Sequence, residues 1–206
     1  MVDRVTGGSP VSESSAPCYL AVLLPYMVLS AIVFGVGVVA GMMALAWIPQ
    51  AAAGVEGSIA EFVQLAHGLG PLGLFVFIVI NNVVKAGVMM CLGVVFGLVP
   101  ILFLVSNGIV LAVAAAIIAE RAGALVAVAG LVPHGIIELP AVLAAAAAGL
   151  RLGAVALERV RRPGTDIKAE LLKAWRFFVT LILPALFVAA VIETVVTPFI
   201  LMTVRG

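Results

Sequence analysis

Charged side chains are scarce in this sequence. Only 10% of the 206 residues are Asp, Glu, Lys or Arg, whereas 65% are hydrophobic, and the mean hydropathy is +1.33. A soluble domain carries about 25% charged residues, so this chain lacks the surface that it would need to stay in water. The net charge of +1 gives no reason to expect a nucleic-acid partner. The composition predicts an integral membrane protein whose main partner is the lipid bilayer.

Cysteine and recognisable catalytic motifs are also scarce. The two cysteines, Cys18 and Cys91, are far apart and lie in or beside apolar stretches, where free cysteine behaves as a small hydrophobic residue. A disulfide framework is therefore not expected. The sequence contains no GxSxG, HExxH or CxxC motif, so common hydrolase and redox mechanisms have no candidate residues. The lack of these motifs favours a protein that is not an enzyme.

Long stretches without charge divide the chain into membrane spans. A hydrocarbon core of about 30 Å needs about 20 apolar residues in a helix. We expect an all-α integral membrane protein, a bundle of about five or six transmembrane helices that forms a single domain at 19–206 after a polar tail at 1–18. The spans are placed near 20–48, 71–90, 94–118, 124–150 and 174–204.

Polar stretches outside these spans predict how the chain is oriented. The segment 51–69 interleaves polar and apolar residues at helical spacing, which predicts a short amphipathic helix in the membrane interface. Most of the positive charge falls in the loop at 151–173, and basic loops normally stay in the cytoplasm. Counting spans from that loop predicts a multi-pass plasma-membrane protein with a cytoplasmic N-terminus and an external C-terminus.

Small residues at helical spacing predict close contacts between spans. Gly37 with Gly41, and Gly93 with Gly97, form GxxxG pairs, and 144–148 is an uninterrupted alanine run. Such residues let helix backbones approach each other closely in lipid. We interpret them as internal packing, and the alternative is a seam between two copies of the chain.

Polar side chains inside the apolar spans are the strongest functional signal. An ionisable residue costs about 2.5–3.5 kcal/mol at the centre of a membrane helix and normally faces the protein interior. By their positions in the predicted spans, polar residues on four helices reach similar depths. They are Asn81, Asn82, Lys85, Asn107, His134, Glu138 and Glu193. We therefore predict one buried polar cluster near the middle of the bilayer.

His134 and Glu138 carry the most specific hypothesis about this cluster. They are four residues apart, so their side chains share one face of a helix. An imidazole nitrogen and a carboxylate oxygen are suitable ligands for a divalent metal, with zinc favoured, and Glu193 is the natural third ligand. Two alternatives stay open. One is a proton or ion pathway through the same residues, and the other is a structural network in which Lys85 pairs with one carboxylate.

Helix-breaking residues surround the same pair. Pro133 and Gly135 flank His134, and Pro140 follows Glu138. Proline cannot donate the backbone hydrogen bond of an α-helix, and its ring clashes with the preceding turn. We therefore predict a helix that is broken between Pro133 and Pro140, a feature that transporters place at the membrane midplane.

The segment around these residues resembles a known family. VPHGIIELPAVLAAAAAGLRLG at 132–153 is similar to the signature of the stage II sporulation protein M family, and NN at 81–82 and SNG at 106–108 resemble further features of it. The similarity covers 70–153 well and the final helix more loosely. The residues that match the signature one by one are Pro133, His134, Glu138 and Pro140.

The resemblance implies a small multi-pass membrane protein that gathers other proteins. In spore-forming bacteria, the namesake of the family is a membrane scaffold that gathers peptidoglycan-degrading enzymes at the septum during engulfment. We therefore expect a non-enzymatic scaffold that binds membrane-protein partners or a second copy of itself. A transporter or channel for a small ion or solute is the first alternative, and a metal-dependent intramembrane hydrolase is the second.

Overall fold

A computed structural model describes residues 16–47 and 50–205 as helices joined by short turns. Some side chains inside these helices, including those of Cys18, His67 and His134, lie outside that description. The described part contains five helical stretches that are long and apolar enough to cross a membrane, which confirms the predicted helical membrane protein. The first four helices are α1 (Ala16–Trp47), α2 (Ala51–Leu92), α3 (Leu98–Ala122) and α4 (Ala124–Arg161).

The C-terminal part of the chain is one long helix with two wider turns, which we call the last helix. In a π-turn the backbone bonds to the residue five positions back, and such turns are frequent at functional sites. The segments of the last helix are α5 (Ile167–Phe177), a first π-turn (Phe178–Ile182), α6 (Leu183–Val191), a second π-turn (Ile192–Val196) and α7 (Thr197–Arg205).

Neighbouring spans alternate in direction. Phe75 of α2 meets Phe187 of α6 edge to face, with ring centroids 5.3 Å apart, and Gly87 lies beside Phe178 further back along the last helix. The two helices therefore run antiparallel. α2 and α4 run parallel, because Gly149 faces Gly93 and Gly153, one turn further along α4, faces Gly97 just after the end of α2.

α2 bends at Gly70, directly before Pro71. Gly70 has φ 63° and ψ 173°, a conformation that is open to glycine and strained for other residues. Pro71 can start the next helical segment, since its missing N–H needs no partner in the first turn. The bend separates the amphipathic stretch at 51–69 from the apolar span that follows it.

The structure differs from the sequence prediction within α4. The helix continues from Ala124 to Arg161 with Pro133 and Pro140 inside it, so the predicted break is not observed. Each proline removes one backbone hydrogen bond, but a full break would leave several more backbone groups without partners in lipid. Each such group costs several kcal/mol, which favours keeping the rest of the helix intact.

The basic loop is also much shorter than predicted. α4 extends to Arg161 and α5 begins at Ile167, so only 162–166 lie between the two helices. Asp166 caps α5, because its Oδ1 accepts hydrogen bonds from the backbone N–H groups of Lys168 and Ala169. Most of the positive charge of the predicted loop therefore lies on helices.

Glycines allow the closest helix contacts of the bundle. A Cβ atom on Gly37 would collide with the backbone of Val105 in α3, and one on Gly93 would collide with the backbone of Gly149 in α4. Both GxxxG pairs thus pack inside the chain. The alanine run at 144–148 is buried in the core of the bundle as well, at the level where α4 contacts α2.

Gly37→Ala tests the seam between α1 and α3. The added methyl group has no room against Val105, and overpacking of this kind costs about 1–3 kcal/mol. We expect the melting temperature in detergent to fall by about 2–4 °C for each kcal/mol lost. Gly35→Ala is the matched control on the same helix, since nothing lies within 4 Å of its Cβ position. Equal stability of the two variants would contradict the close packing of α1 against α3 at Gly37.

Candidate functional site

A lateral groove lies between α3 and α4, beside residues of the predicted cluster. It has a volume of about 570 Å³ and is also bordered by Phe34 of α1. Its α4 wall extends from Ala127 to Val142, which is about 22 Å of helix. Val128, Val132 and Ile136 line this wall and are exposed. Because these exposed residues lie on an apolar helix, we expect this side of the groove to face lipid.

Two residues of the predicted cluster lie together in this groove. Asn107 from α3 and Glu138 from α4 both line it, and the other lining residues that the structure describes are apolar or glycine. The Asn107 amide nitrogen donates to the carbonyl oxygen of Phe103 at 2.7 Å. Within the described part of the chain, no donor reaches the side-chain oxygen of Asn107. The groove therefore presents a hydrogen-bond acceptor to whatever occupies it.

The predicted polar residues of α2 lie outside this groove. Asn81 donates from its amide nitrogen to the side-chain oxygen of Asn82 at 3.2 Å, and both residues are half-buried. Lys85 is exposed about two turns before the end of α2, and it makes no ion pair with a described residue. The salt bridge expected for Lys85 in a structural network is thus not observed among these residues.

Glu193 lies in the second π-turn of the last helix. The Thr197 hydroxyl lies 3.2 Å from Glu193 Oε2 and 3.3 Å from the carbonyl oxygen of Ile192, so its single proton can go to either acceptor. Thr197 is buried. The last helix packs against α4, where Leu201 lies beside Gly130, so Glu193 and Glu138 are on neighbouring helices.

The metal hypothesis depends on a side chain that is outside the described residues. His134 lies within α4, four residues before Glu138, but its imidazole is not described. Among the described side chains, no group of three potential metal ligands lies together. The ligand set of His134, Glu138 and Glu193 therefore stays a prediction.

A buried polar network at the opposite end of α4 was missed by the sequence analysis. Glu170 of α5 is only 7% exposed. Its Oε1 accepts hydrogen bonds from the Tyr19 hydroxyl at 3.0 Å and from Arg151 Nε at 3.3 Å. Arg151 also donates from Nη1 to the Tyr26 hydroxyl at 3.4 Å. The network joins α1, α4 and α5 around one carboxylate.

Local sequence gives little sign of this network. Arg151 is part of a basic stretch and Glu170 sits among lysines, a pattern that is typical of a solvated interface. The one available signal is helical spacing: Glu170, Ala174 and Phe177 share a face of α5, and all three are buried. An acid on the apolar face of an amphipathic helix needs a buried partner.

Comparison with known families gives a match over most of the chain. The model of the family described as stage II sporulation protein M matches residues 30–198. The chain belongs to the stage II sporulation protein M family. The match confirms the resemblance that the signature at 132–153 suggested, and this signature includes much of the α4 wall of the groove. No curated protein and no solved structure matches the chain.

Glu170→Gln tests how much the buried network around Glu170 stabilises the fold. Losing the charge that holds Arg151 should cost about 1.5–3 kcal/mol, the usual value of a hydrogen bond to a charged group. Thermal unfolding in detergent measures the loss. Glu158→Gln is the matched control, because its pair with Arg162 is exposed and spans 3.5 Å, and such pairs contribute about 0.3–0.5 kcal/mol. Comparable losses of stability in both variants would show that the buried network stabilises the fold no more than an exposed ion pair does.

Proposed function

We propose that this protein is a non-enzymatic membrane scaffold that holds partner membrane proteins through lateral helix contacts. The observation that carries the proposal is the groove between α3 and α4, which opens to lipid along about 22 Å of α4. A groove of this length extends over about four turns of helix, so side chains on one face of a partner's transmembrane helix can pack into it. The scaffold role of the family's namesake agrees with this function.

The short connections between the helices support contacts inside the membrane. Gly123 alone separates α3 from α4, and the turns at 93–97 and 162–166 have five residues each. These connections offer little surface to a soluble partner. The bundle itself presents long apolar faces, so partners that lie in the same bilayer have the most surface to bind.

The chemistry of the groove specifies one property of the partner helix. Lipid tails have no hydrogen-bond donors, and the side-chain oxygen of Asn107 accepts from none of the described residues. A Ser, Thr, Asn, Gln or His on a partner helix would supply it, and such hydrogen bonds between membrane helices contribute about 0.6–2 kcal/mol. We infer a partner helix with a polar residue at the depth of Asn107.

A solute transporter is the second candidate function, favoured by Asn107 and Glu138 lining one cavity. A transport pathway must connect the cavity to water on one side of the membrane. The other lining residues that the structure describes are apolar or glycine, which supports a lateral occupant over an aqueous one. Water access to Asn107 therefore distinguishes the two functions.

The distribution of positive charge supports one orientation. Arg159, Arg161, Arg162 and Lys168 lie at the junction of α4 and α5, and positive charge beside membrane spans normally faces the cytoplasm. We infer a plasma-membrane protein with this junction and the N-terminus in the cytoplasm. Five spans then place the C-terminus outside.

Photocrosslinking from the groove tests the scaffold proposal. A photoreactive amino acid at Ile136, which lines the groove and is 66% exposed, should give adducts with a discrete membrane protein in cells. Asn107→Leu removes the acceptor and should reduce these adducts about threefold to tenfold. Denaturing purification and mass spectrometry identify the adducts.

Ile80 of α2 is the matched control position. It is 56% exposed and lies at nearly the depth of Ile136, because Gly93 faces Gly149 and the two helices run parallel. Identical adducts at both positions, or adducts with lipid alone, would contradict the scaffold. Labelling of an Asn107→Cys variant by a membrane-impermeant maleimide would instead favour the transporter.

We also propose that a divalent metal, preferably zinc, binds His134, Glu138 and Glu193. One imidazole and two carboxylates form a suitable donor set. The Thr197 hydroxyl beside Glu193 would orient that carboxylate, as outer contacts of metal ligands commonly do. A metal here would fasten α4 to the last helix.

Elemental analysis of the purified protein tests the metal site. We expect one zinc per chain in the wild type and none in His134→Ala, since loss of the imidazole leaves too few ligands. His67→Ala is the control that removes the other histidine from the stretch before Gly70 and should keep the metal. Equal metal content in wild type and His134→Ala would remove the hypothesis.

A further inference from the structure

A concentrated patch of positive charge lies where α4 ends and α5 begins. Its side chains are all exposed, and a short linker at 162–166 connects the two helices. We call this patch the basic corner. It consists of Arg159, Arg161, Arg162, Lys168, Lys173 and Arg176.

Nearby acids do not neutralise the basic corner. Glu158 pairs with Arg162 at 3.5 Å, Asp166 accepts the backbone hydrogen bonds that cap α5, and Glu170 is turned inward to Tyr19 and Arg151. Within the described part of the chain, no acidic side chain pairs with Arg161, Lys168, Lys173 or Arg176. The corner thus keeps most of its charge for a ligand.

The outer face of α5 combines these cations with apolar side chains. Lys168, Leu172 and Trp175 are exposed and follow each other at helical spacing, while Glu170 and Phe177 on the opposite face are buried. Charged residues beside Leu and Trp on one face are typical of a helix that lies at the lipid headgroups. Trp and Tyr are enriched at this depth.

Trp175 is held in place by the body of the protein. Its ring stacks on Phe178 with centroids 5.7 Å apart and an angle of 12°. Phe178 is buried and contacts the backbone of α2 at Gly87. This packing fixes the depth of Trp175 relative to α2.

We propose that the basic corner binds the phosphate headgroups of anionic phospholipids, with Leu172 and Trp175 inserted beside their acyl chains. Arginine and lysine side chains bind phosphate oxygens through charge-assisted hydrogen bonds. Clusters of four to eight such cations next to a membrane span are typical of anionic-lipid sites. The inference is independent of the scaffold function, since it concerns a different surface.

Tryptophan fluorescence gives a direct test, because the chain contains two tryptophans, Trp47 and Trp175. A Trp47→Phe protein is reconstituted in phosphatidylcholine bilayers that contain a minor fraction of brominated lipid. We expect brominated phosphatidylglycerol to quench Trp175 more strongly than the same fraction of brominated phosphatidylcholine. Each cation near the surface should raise the relative association constant of the anionic lipid about fivefold.

Variants that remove positive charges test whether the preference for phosphatidylglycerol comes from the basic corner. Lys168→Gln with Arg176→Gln should reduce the preference for phosphatidylglycerol by at least tenfold, and high salt should weaken it in the parent protein. Arg121→Gln removes a cation at the other end of the bundle, where Arg121 pairs with Glu56, and should leave the preference unchanged. Quenching by brominated phosphatidylcholine confirms that each variant keeps Trp175 at the membrane.

Trp47 provides an internal control for the lipid effect. It ends α1, about 42 Å along the helix from Tyr19, which contacts α5. In a Trp175→Phe protein, Trp47 should be quenched equally by both brominated lipids. Equal quenching of Trp175 by the two lipids, or a preference that survives the double substitution, would overturn the proposal and favour an acidic protein segment as the ligand of the corner.

Discussion

Helices in a membrane gain no hydrophobic stabilisation from packing against each other, because lipid tails are as apolar as their side chains. The stability of this bundle therefore depends on close backbone approach. Gly37 meets Val105 on one side of the structure, and Gly93 meets Gly149 on another. α4 is central because its glycines and its alanine run at 144–148 let several helices approach it at once.

The polar side chains of the bundle fall into two groups, those that bond to one another and those that line the groove. Glu170, Tyr19 and Arg151 satisfy one another inside the bundle, so their network stabilises the packing of three helices. Asn107 instead lines a groove and keeps an acceptor without a donor among the described residues. The mutually bonded groups stabilise the fold, whereas in the proposed scaffold the side-chain oxygen of Asn107 would give specificity for a partner.

Sequence predicted the features that depend on short segments. Hydropathy indicated a helical membrane bundle, and the signature at 132–153 indicated the family. Contacts between distant segments were beyond its reach, so the pairing of Arg151 with Glu170 was missed. The prediction of a helix break between Pro133 and Pro140 was wrong for a different reason. Proline weakens a helix locally, but unpaired backbone groups are so costly in lipid that the surrounding turns stay intact.

The single residue between α3 and α4 constrains how the groove can be filled. Gly123 forces the two helices to meet at the end of the groove near Ala127. The two helices are therefore held together at that end, next to the linker. For the proposed scaffold, the side of the groove away from this linked end would be the route by which a partner helix enters. Such a partner would approach by diffusion in the plane of the bilayer, and so after its own insertion into the membrane.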